Sequence, residues 1–243
     1  MIKSVFITGA SGQIGRAAAE AFAKKGYELY LAGNRRYDDL VTFASELEKN
    51  CSVKCTCIKL DVKNSLNINE VFKDIFNNGN TIDILVNCAG ISKVGLFHDM
   101  TDTGWDEIIA TNLSSVFYCC RAIAPHMISK KAGRIINISS VFGIYGASCE
   151  AAYSATKGAI NAFTRSLGKE LAPSNIQVNA IAFGAIDTSM NDNLSPEEKN
   201  ALCEEIPAGR FSSAREAGEF IETVASSPSY LNGQVLQFDG AWI

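Results

Sequence analysis

Seven short apolar runs recur along this 243-residue chain: SVFIT (4–8), ELYLAG (28–33), VKCTCIKL (53–60), IDILVN (82–87), GRIINIS (133–139), IQVNAIA (176–182) and QVLQFD (234–239). Between them lie stretches of helical periodicity, such as IGRAAAEAFAKK (14–25) and AFTRSLGKELA (162–172). In the latter, Phe163, Leu167 and Leu171, with Ile160 before them, set an apolar stripe on one helix face. Strands that alternate with helices build βαβ units around a parallel sheet, and a sheet covered on both faces needs strands that are apolar throughout. The length suffices for one large core. The pattern predicts a single doubly wound α/β domain over 1–243, without internal repeat, low-complexity linker or long charge run.

A net charge of −4 leaves no basic excess to hold a nucleic acid backbone. No apolar run approaches the length of a membrane span. Met1-Ile2-Lys3 leads straight into the first apolar run without a signal-peptide layout, so a cytoplasmic protein is expected. The eight cysteines (Cys51, Cys55, Cys57, Cys88, Cys119, Cys120, Cys149 and Cys203) include no C-x-x-C pair, and there are only two histidines. Reduced, mostly buried thiols and no metal site are expected, with Cys55 and Cys57 on one face of a strand. His98 and His126 lie in no motif and are read as structural.

TGASGQIG (8–15) follows the first strand and opens the first helix. Glycines there permit a tight turn and let backbone N–H groups approach a diphosphate at the positive helix end. Gly9, Ser11, Gly12, Gln13, Ile14 and Gly15 form the expected cradle of a dinucleotide. The second strand ends in AGNRRYDDL (32–40), where an acid would bind a ribose with free hydroxyls and favour NAD. Asn34, Arg35 and Arg36 stand there instead, with Asp38 and Asp39 beyond the strand end in the next helix. Arginine makes charge-assisted bonds to a 2′-phosphate, so NADP(H) is expected and NAD(H) is the alternative.

YSATK (153–157) places Tyr153 and Lys157 on one helix face, either as a catalytic acid with its tuning partner or as an ordinary surface pair. The rest of the chain decides. In order come TGASGQIG, Asp61-Val62, NCAG (87–90), TNLSSVF (111–117), GRIINISS (133–140), YSATK and GAIDTSM (184–190), with Ser140 thirteen residues before Tyr153. End to end, this resembles the classical short-chain dehydrogenase/reductase family, most closely its 3-oxoacyl-[acyl-carrier-protein] reductases. The resemblance implies a Rossmann-type, doubly wound parallel sheet of about seven strands with helices on both faces. It implies a cofactor half over about 1–130 and a catalytic and substrate half over about 131–243.

By the same resemblance, Asn112, Ser140, Tyr153 and Lys157 form a catalytic tetrad. Tyr153 would donate the proton in carbonyl reduction while Ser140 hydrogen-bonds the developing alkoxide. Lys157 would lower the tyrosine pKa and bind the nicotinamide ribose, and Asn112 would hold a water that connects the lysine to solvent. Asp61 and Val62 would contact adenine; Asn87, Ala89 and Gly90 would line the adenosine and ribose channel; Ile186 and Thr188 would hold the carboxamide. The expected reaction is NADP-dependent reduction of a carbonyl to a secondary alcohol, with a 3-oxoacyl thioester of fatty acid synthesis on an acyl carrier protein as substrate. The alternatives are a sugar, polyol or other small alcohol or ketone and, against the intact tetrad, a cofactor-sensing protein without turnover. The family also implies a homo-oligomer, a tetramer.

Four positions depart from the family pattern. Gly12 stands where many carrier-protein reductases have a phosphate-contacting arginine, and Gln13 where a glycine is usual. Cys88 replaces a common second asparagine, and Phe183 replaces the proline before Gly184, a change expected to reshape the cofactor lid. Lys130, Lys131 and Arg134 in SKKAGR (129–134) are the candidate patch for an acidic carrier, and Asn191 to Phe211 the expected substrate lid.

Overall fold

Each of the seven apolar runs becomes a strand of one parallel sheet in the computed structural model, which describes residues 3–192 and 194–243. Met1 and Ile2, and Asn193 within the expected lid, lie outside the described residues. The first half runs β1 (Ser4–Thr8), α1 (Gln13–Lys24), β2 (Glu28–Gly33), α2 (Tyr37–Cys51), β3 (Cys55–Lys59), α3 (Ser65–Asn77) and β4 (Ile84–Asn87). It continues through α4 (Asp102–Ile109), α5 (Ser115–Lys130), β5 (Gly133–Ser140), α6 (Phe142–Tyr145), α7 (Ala151–Leu171) and β6 (Ile176–Phe183). The last part holds β7 (Ile186–Asp187), α8 (Pro196–Glu205), β8 (Ser212–Ser213), α9 (Ala214–Ser226) and β9 (Val235–Phe238).

The sheet order is β3-β2-β1-β4-β5-β6-β9. From β1 the chain winds outward to β3, then returns to lay β4 against the other side of β1. Connections leave these two neighbours in opposite directions, which opens a crevice beyond their carboxyl ends. Alternate residues serve opposite layers: Val5 and Ile7 pack with Phe22 of α1, Leu40 of α2 and Ile221 of α9, whereas Phe6 packs with Phe72 of α3, Ile123 of α5 and Ile160 of α7. Burial on both faces is why β6 is buried at every residue and why the strands are legible as unbroken apolar runs.

Two features escape the sequence pattern. The two-residue strands β7 and β8 pair only with each other, Ile186 to Ser212 and Asp187 to Ser213, and two residues carry no periodicity. A π-helical turn at Ala110–Ser114 joins α4 to α5 and carries Asn112 into the interior. Such widened turns are frequent at functional sites.

Phe183 completes β6 opposite Phe238 of β9 and stacks edge-on against it at 5.7 Å, so the residue in place of proline is a packed strand end. Helices α1 and α9 meet backbone to backbone: a Cβ on Gly218 would lie 2.7 Å from the Ala18 nitrogen. Gly218→Val must push α9 off the helix that carries the glycine-rich turn. We expect a loss of about 1–3 kcal/mol, read as a lower urea midpoint at unchanged slope. An unchanged midpoint would show that the two helices separate freely.

Candidate active site

The crevice between β1 and β4 is closed at its base by Thr8. Its Oγ1 accepts from the backbone N–H groups of Cys88 (3.0 Å) and Ala89 (3.2 Å). Gly9 follows at φ +65°, and a Cβ there would stand 2.7 Å from the Ala89 Cα. Only glycine permits both the conformation and the approach. Gly12 occupies the position before α1 without a side-chain cap, and a Cβ on Gly15 would collide with the Gly9 carbonyl. The result is an open helix N-terminus behind a turn stripped of side chains, which fits a dinucleotide diphosphate. Ser11 and Ile14 flank the turn half-buried. Gln13 reaches across the crevice, its Oε1 accepting from the Ser189 N–H at 2.5 Å, a link between the turn and the segment after β7.

At the end of β2 the two arginines part company. Arg35 turns to Glu107 of α4 (3.4 Å), whose other oxygen takes Lys93 at 2.8 Å. Hydrogen bonding and charge from Lys93, with Lys63 and Arg35, hold the Glu107 carboxyl below its usual range. Arg36 borders a recess of about 360 Å³ that Ser11, Gln13, Arg16 and Asp39 also line. The Arg16 guanidinium lies over the Phe43 ring at 5.1 Å, and its Nε is buried without a partner. Arg16, which the motif comparison overlooked, thus brings positive charge to the edge where Gly12 replaces an arginine.

Other expected contact residues have structural duties. Asp61 Oδ1 accepts from Lys63 N (3.0 Å) and fastens the turn after β3, while Val62 packs against the core. Asn87 points into the protein rather than the crevice, donating to Asn137 Oδ1 at 2.9 Å, with its own Oδ1 unpartnered. Of the expected channel residue, only the backbone is then free to face the crevice. Gly90 lies beside the reactive cluster, where a Cβ would stand 3.5 Å from Asn112 Oδ1 and 3.7 Å from Lys157 Nζ.

Helix α7 carries Tyr153 and Lys157 inward. Lys157 is only 4% exposed, donates to the Ile138 carbonyl at 2.8 Å and lies 5.4 Å from the Tyr153 ring centre, so this is no surface pair. Burial pulls the Lys157 pKa down to about 8, against the attraction of Cys88. Burial pushes the Tyr153 phenol well above its ordinary value, the nearby Glu150 adds to this, and the Ser140 hydroxyl works against it. Cys88 lies in the same cluster, its thiol raised to about 11 by burial. Ser140, at the end of β5, accepts from Phe142 N at 3.2 Å, which leaves its own O–H free to donate.

Asn112 is fully buried, and its amide is spent on protein groups: Nδ2 donates to Ile91 O (2.8 Å) and Thr156 Oγ1 (3.3 Å), and Oδ1 accepts from Ile91 N (2.9 Å). Its side chain therefore pins the segment after β4, a role the sequence reading had not assigned. Asn191 braces the opposite wall, donating to Ile186 O at 2.8 Å, while Thr188 lies between them. Beyond it the segment expected to act as the lid forms α8, which begins with a reciprocal Ser195–Glu198 cap and buries no residue of its own.

All eight cysteines are free, but only Cys119 and Cys120 are buried; the other six are partly exposed. His126 stacks on Phe76 at 3.9 Å, away from the crevice. Among the described residues, no His, Cys, Asp and Glu cluster could hold a metal, and no helix is long and apolar enough to cross a membrane.

The family profile described as short chain dehydrogenase matches residues 3–199. An uncharacterized oxidoreductase of Bacillus subtilis is 36% identical over all of this chain and 99% of its own. A 3-oxoacyl-[acyl-carrier-protein] reductase of Aquifex aeolicus is 38% identical over 98% of this chain and 96% of its own. Among solved structures, one from Agrobacterium tumefaciens proposed as a gluconate dehydrogenase superposes with a TM-score of 0.93 at 31% identity, covering 99% of this chain and 95% of its own. The chain belongs to the short-chain dehydrogenase family and is a nicotinamide-dependent oxidoreductase.

Proposed function

We propose that the protein reduces a 3-oxoacyl thioester to the 3-hydroxyacyl thioester with NADPH, Tyr153 acting as the proton donor. The observation that carries the chemistry is the burial of Lys157 beside Tyr153, with Ser140 and Asn112 in the same cluster. Gly9, Ser11, Gly12, Gln13, Ile14 and Gly15 would hold the diphosphate, and Asn34 with Arg35, Arg36 and Arg16 the adenosine phosphate. Asp61 and Val62 would meet adenine, Ala89, Gly90 and the Asn87 backbone the ribose channel, and Ile186 and Thr188 the carboxamide. On this division residues up to about 130 bind cofactor, and the remainder supplies most of the chemistry and the lid.

When bound, the dinucleotide supplies the hydride and, once oxidised, a positive charge near the phenol. Ser140 donates its free O–H to the substrate carbonyl, and Tyr153 passes its proton to the developing alkoxide. The buried phenol must be brought down for this exchange; three pKa units correspond to roughly 4 kcal/mol, which falls to the Lys157 ammonium and the oxidised ring. The Asn112 side chain holds Ile91, so in this reading a water behind the lysine would fall to its backbone.

For the substrate, the rim favours an acyl chain: Val94, Leu96 and Phe97 after β4, Ile144 and Tyr145 after β5, and Met190 after β7 are all exposed apolar side chains. The likeness to the Aquifex reductase supports a carrier-linked thioester. The SKKAGR loop gives this little support within one chain. It joins the end of α5 to the start of β5, so its Arg134 lies on the order of 20 Å of strand from Ser140, and Lys130 is paired with Asp83 at 2.8 Å. The second reading, a sugar-type alcohol, draws on the superposition with the Agrobacterium protein. A homotetramer is supported by exposed Trp105 on α4 and Phe117 on α5.

NADPH oxidation with acetoacetyl thioesters, free and carrier-linked, beside sugars and polyols separates these readings. Thioester turnover is expected; its absence beside good polyol oxidation would overturn the proposal. Tyr153→Phe should bind NADPH within a few-fold of normal by fluorescence titration yet lose about a hundredfold or more in turnover. Wild-type turnover in that variant would defeat the mechanism.

Arg36→Glu should weaken NADPH by about 10–100-fold, the scale of a lost charged hydrogen bond, and leave NADH nearly unchanged. Equal effects on both nucleotides would remove Arg36 from cofactor choice.

Lys157 also leaves a mark on stability. Its pKa is about 8 folded against 10.5 for an ordinary lysine, so between these values the unfolded state binds the extra proton and stability rises with pH. The full rise is about 3 kcal/mol. Urea unfolding of cofactor-free protein at pH 7 and pH 10 should give wild type a stability change more positive by about this amount than that of Lys157→Met, because the raised thiols, which act in the opposite sense, are common to both; parallel behaviour of the two would mean the ammonium is hydrated.

A further inference from the structure

Glu150 occupies the position before α7, where an acidic side chain ordinarily accepts from the first-turn N–H groups. It makes no such bond. Its Oε2 instead takes the hydroxyl of Ser92 at 2.7 Å, and the Gly95 N–H donates to the neighbouring Cys149 carbonyl at 2.8 Å. Ser92 and Gly95 belong to the segment after β4 that Asn112 pins through Ile91. The carboxylate therefore stands where the walls following β4 and β5 meet, three residues before Tyr153.

Among the described residues, no lysine, arginine or histidine pairs with Glu150. The charged and polar groups that act on Tyr153 are Glu150 just before its helix, Cys88 after β4 and the Ser140 hydroxyl from β5, and the Lys157 ammonium lies 5.4 Å from its ring centre. From the opposite wall the Ser92 hydroxyl meets Glu150, and burial raises its carboxyl above the ordinary value against that hydrogen bond. An unpaired charge partly withdrawn from water acts on whatever enters beside it. The mechanism above does not use it.

We propose that Glu150 is a specificity-determining carboxylate, which admits carbonyl substrates that are neutral beside the reacting carbon and rejects those that carry a carboxylate there. The inference rests on Tyr153 as the proton donor, because that places the reacting carbonyl beside the charge. A thioester or ester passes; a free 3-oxo acid is repelled. The same charge opposes the phenolate and so keeps Tyr153 in the donor form that reduction needs.

The test compares kcat/KM for ethyl acetoacetate and acetoacetate, with NADPH, in wild type and Glu150→Gln. The ester preference should fall about tenfold or more in the variant through a gain on acetoacetate, the ester rate staying within about threefold. Wild-type preference should relax as pH falls through the raised Glu150 titration, while the variant stays flat. Equilibrium binding of acetoacetate to the NADP+-loaded protein should tighten by a similar factor, a reading independent of turnover. In the oxidation direction the rate profile of the variant should move to lower pH.

Ser92→Ala removes the bond and keeps the charge, so its ester preference should persist. An unchanged preference in Glu150→Gln, or equal loss of both substrates, would overturn the proposal. So would a Ser92→Ala variant that behaves like Glu150→Gln. Neither probe is a thioester or bears a carrier protein, so failure of the thioester reading leaves this test standing, and Tyr153→Phe separately tests the donor.

Discussion

Lys157 places an ammonium group where water scarcely reaches, and much of the surrounding architecture exists to make that tolerable. The Ile138 carbonyl of β5 accepts one of its protons at 2.8 Å, and the Tyr153 ring lies 5.4 Å away. Gly90 keeps clear the space in which a Cβ would stand 3.7 Å from the nitrogen. These contacts leave the lysine pKa near 8, so the charge is held at a cost in the cofactor-free protein. A site that is strained when empty binds best the ligands that relieve it, and here relief means anionic or hydroxyl-rich groups at the lysine. The tyrosine is biased in the opposite sense: burial and Glu150 keep it protonated. Together the two settings leave a proton on the phenol and an ammonium beside it, which on the proposed reading is the state that precedes carbonyl reduction.

That cluster can form only because the sheet changes winding direction between β1 and β4. Thr8 and Gly9 hold the carboxyl ends of those strands within touching distance through the Cys88 and Ala89 backbone. The glycine turn and the Ala89-Gly90 segment are thereby one rigid floor rather than two loops. The π-helical turn beyond α4 then lets Asn112 grip Ile91 from behind, fixing the wall that carries Ser92. Gln13 extends the same floor to the far wall at Ser189. A glycine at position 13 could not make that link.

The main frame is legible in the sequence because burial on two faces writes each strand as a continuous apolar run, and Phe6 with its neighbours Val5 and Ile7 shows both layers being served. Asn112, Ser140, Tyr153 and Lys157 are singled out by the family resemblance of three motifs, TNLSSVF, GRIINISS and YSATK. What the sequence hides is which way adjacent side chains turn. Arg35 and Arg36 are equivalent on paper, and only the position of Glu107, seventy-two residues away from Arg35, draws one aside. Asn87 reads as a channel residue until its register opposite Asn137 shows the amide turned inward. Arg16 sits in an ordinary amphipathic helix, and its unpartnered Nε is visible only beside Phe43. Strand pairs as short as β7 and β8 carry no pattern to read.

Two properties of the cleft, read jointly, narrow what it can accept more than either does alone. On the proposed reading the exposed side chains of Val94, Leu96, Phe97, Ile144, Tyr145 and Met190 would offer apolar surface to whatever extends outward from the reacting carbon. Apolar contact by itself cannot strongly reject a polar analogue, since an added hydroxyl or a missing methylene changes affinity only modestly. On that reading the Glu150 carboxylate would supply the rejection that apolar contact lacks, because a second negative charge beside it is repelled whatever else it touches. Attraction at the rim and repulsion at the centre therefore divide the task. The first selects for a chain, and the second requires that the chain's own acid be masked, as it is in an ester or a thioester.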